Sequence, residues 1–307
     1  MKIYLSKINE SWIIDRVRRE WYLNNKSIST KFLNQANIVW IISPWLWKKI
    51  PKKHLESKKV LCSIYHLDFN QKNNNDLENL TQMEPFVDEF HVISNRTKDA
   101  LQQFTDKKIT SIPFWVNQDL WFSIVNKKKL KEELKIDSDK YLIGSFQRDT
   151  EGHDLKSPKL IKGPDIFFDI VKEKFSKNQN IEVILAGKRR QYLINRLTND
   201  NIPFKYFEMV DLKKLNKLYN VLDLYIVSSR IEGGPQAIVE CGLTKTPIIS
   251  TDVGIASEIL HKKSIFNVDN YNNAEPNVEH AYKNSKLLTI PNGMKRYIKM
   301  FKALSEN

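Results

Sequence analysis

Cysteine is nearly absent from this sequence. Two among 307 residues, Cys62 and Cys241, lie far apart in apolar surroundings. They read as buried free thiols of a reducing compartment, not as a disulfide framework. A zinc site needs more ligands at closer spacing. Long apolar runs are missing too: the longest candidate, IVWIISPWLW at residues 38–47, is broken by Pro44 and falls short of the ~20 residues of a spanning helix. The opening MKIYLSKINESW has no signal-peptide core, so a cytoplasmic chain, soluble or peripheral on the inner face of a membrane, is expected. No internal repeat stands out. Acidic residues are in deficit: 49 Lys and Arg against 36 Asp and Glu leave a net charge of +13. That excess favours nucleic acid, acidic headgroups or phosphorylated substrates without choosing among them.

What is present is a rhythm. Short β-branched runs alternate with longer helical patterns, the mark of parallel sheets with crossover helices. Strands are expected at residues 2–5, 38–43, 59–66, 90–93 and 109–112 in the first half. In the second they are expected at 141–146, 181–187, 204–207, 222–229, 246–251 and 264–266. Helices fit at residues 165–175, 190–199, 212–220 and 235–243. The stretch 113–139 breaks the rhythm and reads as a junction between two α/β units.

The most informative segment is RIEGGPQAIVE, residues 230–240. Pro235 suits the first turn of a helix, where a missing N–H costs nothing. Gly233 and Gly234 hold the turn before it. Glu232 therefore belongs to a loop and Glu240 to the helix. A helix N-terminus after a strand favours phosphate, and the glycines let it approach without a Cβ in the way. Glu240 lies about 7–8 Å further along the axis, roughly the distance from a diphosphate to a ribose, and a carboxylate accepts from two hydroxyls. The spacing equally fits an ordinary amphipathic helix, with Ala237, Ile238 and Cys241 buried and Gln236 and Glu240 on a solvated face.

Residues 228–260 resemble the donor-binding region of retaining glycosyltransferases of family 4, the group 1 enzymes of the GT-B fold, whose mark is two glutamates in E-x7-E spacing. KLIKGPDIFFDIV (159–171) resembles that family's Lys-Gly turn and helix, and YLIGSFQRD (141–149) its strand ending in a phosphate-binding arginine. Residues 109–122 and 89–101 resemble the junction and the last unit of the first domain. The resemblance implies an α/β protein of two Rossmann-like domains with parallel sheets facing an interdomain cleft. The acceptor domain would span 1–115, the donor domain 116–290, and a helix at 291–307 would return to the first. It implies a nucleotide-sugar donor, a glycan or lipid-linked acceptor, and no metal or other cofactor. Glu240 would bind the ribose and Glu232 the transferred sugar, with the Gly233–Gly234 backbone near the diphosphate. Arg148 and Lys162 would neutralise the leaving diphosphate. His66 would point into the cleft, and Lys188 would approach the diphosphate.

The sequence departs from that pattern in two places. DTEGHDLKSPKLI separates Arg148 from Lys162, where the family sets them closer. The first half is short and lacks the glycine-rich loop after its first strand. It carries instead PWLWKKIPKKHLESKK, residues 44–59, with six lysines and one glutamate. Trp45 and Trp47 beside Lys48, Lys49, Lys52 and Lys53 would suit an anionic membrane surface, or a loop packed in the fold with a solvated basic flank. Two other functions stay open: a nucleic-acid-binding or nucleic-acid-modifying protein, though no recognised module accompanies the charge, and a GT-B-like binding subunit without turnover.

Overall fold

The computed structural model describes residues 1–7, 13–65, 67 and 75–306. The chain divides into two compact units, 1–115 with 288–307, and 116–287.

The first unit is built on five parallel strands: β1 (Ile3–Leu5), β2 (Ile38–Ile41), β3 (Lys59–Ile64), β4 (Glu89–Val92) and β5 (Lys108–Ser111). They lie side by side in chain order. Most residues of β1 to β4 are apolar and buried, as a sheet covered on both faces requires. The helix Asn292–Glu306 sends Met294, Tyr297, Met300, Phe301 and Leu304 into this core. There Trp40 meets Trp21, Tyr297 and Phe301 at ring separations of 5.5, 5.5 and 5.3 Å.

A chain of neutral polar groups crosses this core. Trp40 Nε1 donates to Ser63 Oγ at 2.8 Å, and Ser63 Oγ lies 2.8 Å from His91 Nδ1. His91 Nε2 meets the Ile112 carbonyl at 2.8 Å, which also accepts from the Tyr297 hydroxyl at 3.1 Å. A carbonyl only accepts, so Nε2 carries the proton and Nδ1 accepts from Ser63. Burial, aided by the charge of Arg296, pushes His91 down to about 4.

The second unit holds six parallel strands: β6 (Tyr141–Ser145), β9 (Ile181–Ala186), β10 (Phe204–Phe207), β11 (Leu224–Val227), β12 (Ile248–Thr251) and β13 (Ile265–Phe266). Between β6 and β9 in sequence comes an antiparallel pair, β7 (Thr150–Glu151) and β8 (Ser157–Pro158). The six-stranded order is β10-β9-β6-β11-β12-β13. From β6 the chain builds outward through β9 and β10, then returns to lay β11, β12 and β13 on the other side. The order thus reverses between β6 and β11, the place where open α/β sheets bind ligands beyond the carboxyl ends of their strands.

Expected strands survive, some unchanged as at Phe204–Phe207, some shifted by one residue and others with shorter ends. The run 59–66 gives β3 over Lys59–Ile64, and 222–229 gives β11 over Leu224–Val227. Ser228 and Ser229 lie beyond the strand and lead into a loop whose backbone bonds elsewhere. The β7–β8 pair has no counterpart in the sequence reading, because two-residue strands show no periodicity.

Candidate active site

The loop after β11 is fixed from three sides. The backbone N–H groups of Arg230 and Ile231 both donate to the Ile161 carbonyl, at 2.9 and 3.1 Å. The Arg230 guanidinium binds Asp165 through both terminal nitrogens, at 2.8 and 2.6 Å, and the Leu160 carbonyl at 2.8 Å. Thr251 Oγ1 donates to the Ser229 carbonyl at 2.6 Å. Two glycines allow the close approach. Gly163 has φ +59°, and a Cβ there would stand 1.8 Å from the Ser228 carbonyl oxygen. Gly254 has φ +51°, and a Cβ there would stand 2.4 Å from the Gly233 carbonyl oxygen. Only glycine satisfies both the dihedral and the space.

Gly163 also starts the helix Pro164–Lys177, with proline in its first turn and Asp165 beside the positive end of its dipole. The turn before it, Leu160–Lys162, aims Lys162 at the loop. Lys162 Nζ pairs with Glu232 Oε1, both mostly buried. Gln147 Nε2 donates to the Lys162 carbonyl at 2.8 Å, and Ser229 Oγ donates to Gln147 Oε1 at 3.2 Å. β6, the Lys-Gly turn and the β11 loop are thereby joined at the reversal point.

Gly233, Gly234 and Pro235 lead into the helix Gln236–Thr244 with Pro235 at its N-cap. Glu240 is not on a solvated face. It is 5 % exposed, and its Oε2 accepts from the Tyr219 hydroxyl at 2.9 Å. Ile238, Val239 and Cys241 are buried beside it. Burial, then the Glu240 charge, raises the Tyr219 hydroxyl far above its ordinary range, so it stays a donor to that carboxylate. Tyr219 sits among Trp121, Phe146 and Tyr225. The sequence reading missed it.

Arg148 leaves β6 exposed, its Nε donating to the Thr150 carbonyl at 2.8 Å. The insertion after it folds back on itself: Lys159 N donates to the Asp149 carbonyl at 2.8 Å. Thirteen intervening residues therefore add little distance between Arg148 and the Lys162 turn. Behind Arg148, Asp149 Oδ2 accepts from Arg190 Nε at 2.6 Å, with Arg190 fully buried. Arg190 also donates to the Ser145 and Ala186 carbonyls at 2.6 and 2.8 Å. This pair ties together the ends of β6 and β9 and was missed as well. One signal was available: Asp149 and Arg190 each stand four residues past the ends of neighbouring strands.

Lys188 is exposed just beyond β9, and His153 is exposed in the β7–β8 turn. His66 lies outside the described residues, as do residues 8–12, where the glycine-rich loop would stand. In the first unit Trp45 is 43 % exposed, with Lys48, Lys49, Lys52 and Lys53 exposed around it. Trp47 is engaged: its Nε1 donates to Asn79 Oδ1 at 2.7 Å, and its ring stacks on Phe86 at 5.9 Å.

Residues 156–284, within the second unit, match the family model described as glycosyl transferases group 1. The whole chain has the α/β fold of GT-B glycosyltransferases. It superposes on Anabaena Alr3699/HepE in complex with UDP with a TM-score of 0.73 at 12% identity, covering 98% of this chain and 99% of that one. For sucrose-phosphate synthase from Thermosynechococcus elongatus the TM-score is 0.71 at 11% identity, covering 97% and 80%. For a glycosyltransferase from Rickettsia africae it is 0.65 at 15% identity, covering 98% and 84%. No curated protein matches by sequence. No helix among the described residues is long and apolar enough to cross a membrane.

Proposed function

We propose that this protein is a retaining glycosyltransferase that moves a sugar from a nucleoside-diphosphate donor to a glycan or lipid-linked acceptor. The observation that carries the reading is the Lys162–Glu232 pair beside the Gly233–Pro235 turn, at the point where the strand order reverses. The donor's diphosphate lies at the start of the helix Gln236–Thr244, where unpaired backbone N–H groups and the dipole favour it. Buried Glu240, oriented by Tyr219, accepts from the ribose hydroxyls, and Glu232 meets the sugar. The bond from the anomeric carbon to the diphosphate breaks while the acceptor oxygen bonds to the same face. The acceptor's proton passes to the departing phosphate oxygen. Lys162 and Arg148 offset the charge that gathers there, so the reading assigns no step to a metal. The UDP and UDP-glucose bound to Alr3699/HepE support a nucleotide-sugar donor.

A melting-temperature panel of UDP-, GDP-, ADP- and dTDP-sugars tests this. The true donor raises the wild-type melting point, and raises that of Glu240→Ala less. Retention is read by NMR of the product anomer, which must match the donor's. A shift without turnover would mark a binding subunit, and no shift with any donor would remove the reading.

The acceptor side is proposed to work at the cytoplasmic face of a membrane. Trp45 and the four exposed lysines suit an anionic surface, and a crevice of about 70 Å³ lined by Trp45, Ile64, Tyr65, Leu67, Leu80 and Met83 opens beside them. Flotation with phosphatidylserine vesicles should capture the wild type. Equal capture after replacing Trp45 and the lysines by serine would discard this part.

A further inference from the structure

The insertion that separates Arg148 from Lys162 does more than close on itself. Its returning strand, β8, ends at Pro158, and the next residue begins the turn that carries Lys162. Lys159 is anchored at both ends of its backbone: its N–H donates to the Asp149 carbonyl, and its carbonyl accepts from Lys162 N, each at 2.8 Å. The Asp149–Arg190 pair fixes the near end of the hairpin, and Thr150 Oγ1 accepts from Tyr192 N at 2.8 Å. The side chain so placed is half-buried, and among the described residues it has no hydrogen-bond or ion-pair partner.

A half-buried ammonium without a counter-ion is costly. Burial, with Arg148 and then Lys162 close by, lowers the pKa of Lys159, while the carboxylates of Glu151 and Glu232 act the other way. Glu232 is already paired with Lys162, and Glu151 is exposed on the hairpin. Arg148, Lys159 and Lys162 against Glu232 and Glu151 leave an excess of positive charge around Lys159. A ligand with two negative charges would relieve the repulsion and supply the missing partner.

We infer that Lys159 is a third diphosphate-binding residue of this site, delivered to Arg148 and Lys162 by the β7–β8 hairpin. The inference rests on the reading of the site given above and adds a contact supplied by the insertion. The three cations then surround the diphosphate from the β6 side, facing the helix N-terminus on the β11 side. A charge-assisted contact of this kind changes affinity by about tenfold or more.

The test is calorimetric titration of UDP, GDP, ADP and dTDP into the wild type, Lys159→Met and Lys159→Arg, with the melting temperature of each unliganded protein recorded. The wild type should bind at least one diphosphate, Lys159→Met should bind it about tenfold more weakly, and Lys159→Arg should recover most of the loss. Neither unliganded variant should melt lower than the wild type, and Lys159→Met, relieved of an unpaired charge, should melt at the same temperature or higher. A diphosphate Kd within twofold of wild type for Lys159→Met overturns the inference and leaves the donor site standing. Both variants melting lower and binding more weakly together would make Lys159 a hairpin support, which also overturns it. Failure of the wild type to bind any of the four would remove the donor site itself.

Discussion

The two units are both parallel α/β layers, yet they place their buried polar groups differently. In the first, strands follow one another in chain order and nowhere reverse. A conspicuous polar chain there, Trp40–Ser63–His91–Ile112–Tyr297, is neutral and runs through the core. In the second, the strand order reverses between β6 and β11, and Asp149, Arg190, Lys162, Glu232 and Glu240 gather around that reversal. The lesson is that sheet topology, more than sheet content, decides where charge can be held usefully. A reversal parts two neighbouring crossovers and opens a crevice whose walls are strand ends and helix starts. Around the sequential sheet the buried carboxylates, Glu20 on Trp115 and Glu89 on Lys108 and Thr110, join neighbouring elements and fix packing.

The comparison can be broken at its most deeply buried point. Asp149→Ala leaves Arg190 charged, buried and unpaired, which should cost about 3–5 kcal/mol of stability, read as a lower urea midpoint. A cost under about 1 kcal/mol would mean that the pair does not organise the reversal. Next in size is the site itself. Lys162→Met should lower the transfer rate about 10²–10³-fold, the scale of losing one preorganised charge, along with a smaller loss of stability from leaving Glu232 without its partner. A rate within threefold of wild type would move the chemistry elsewhere.

The first unit should respond to pH instead. His91 is held neutral with its pKa at about 4, below the unfolded value of about 6.5. The unfolded chain therefore takes up a proton that the folded one refuses. Stability is full above about pH 6.5 and falls as pH drops toward 4, by about 3 kcal/mol in all. Protonation at Nδ1 would also leave the Ser63 hydroxyl without its acceptor. Urea unfolding between pH 7 and 4.5 should show this slope in the wild type and a shallower one in His91→Gln. Equal slopes would assign the acid sensitivity to other groups. The smallest effect concerns Tyr219→Phe, which removes one neutral donor from Glu240. It should weaken donor binding by about two- to tenfold, leaving turnover of bound donor nearly unchanged.

The sequence made the strands and the central helices legible because their apolar residues are buried and periodic. The β11 loop and the helix that follows were legible through Glu232, the two glycines and Pro235. What could not be read were relations across the fold. The burial of Glu240 depends on Tyr219, which lies in another helix. The hairpin depends on two strands too short to show a period. Arg190 sits in GKRRQ, where nothing in the local pattern separates a fully buried arginine from exposed Lys188. Trp45 and Trp47 read alike in sequence, yet Trp47 is held by Asn79 and Phe86. The strand order that creates the site cannot be read from any one segment.

The central claim is that an activated sugar's diphosphate docks where the helix Gln236–Thr244 begins. A crystal structure with the nucleoside diphosphate that most raises the melting temperature tests it directly. The account predicts phosphate oxygens within hydrogen-bond distance of Lys162 and of the first N–H groups of that helix, with the ribose hydroxyls on Glu240. A nucleotide bound away from all three would contradict it.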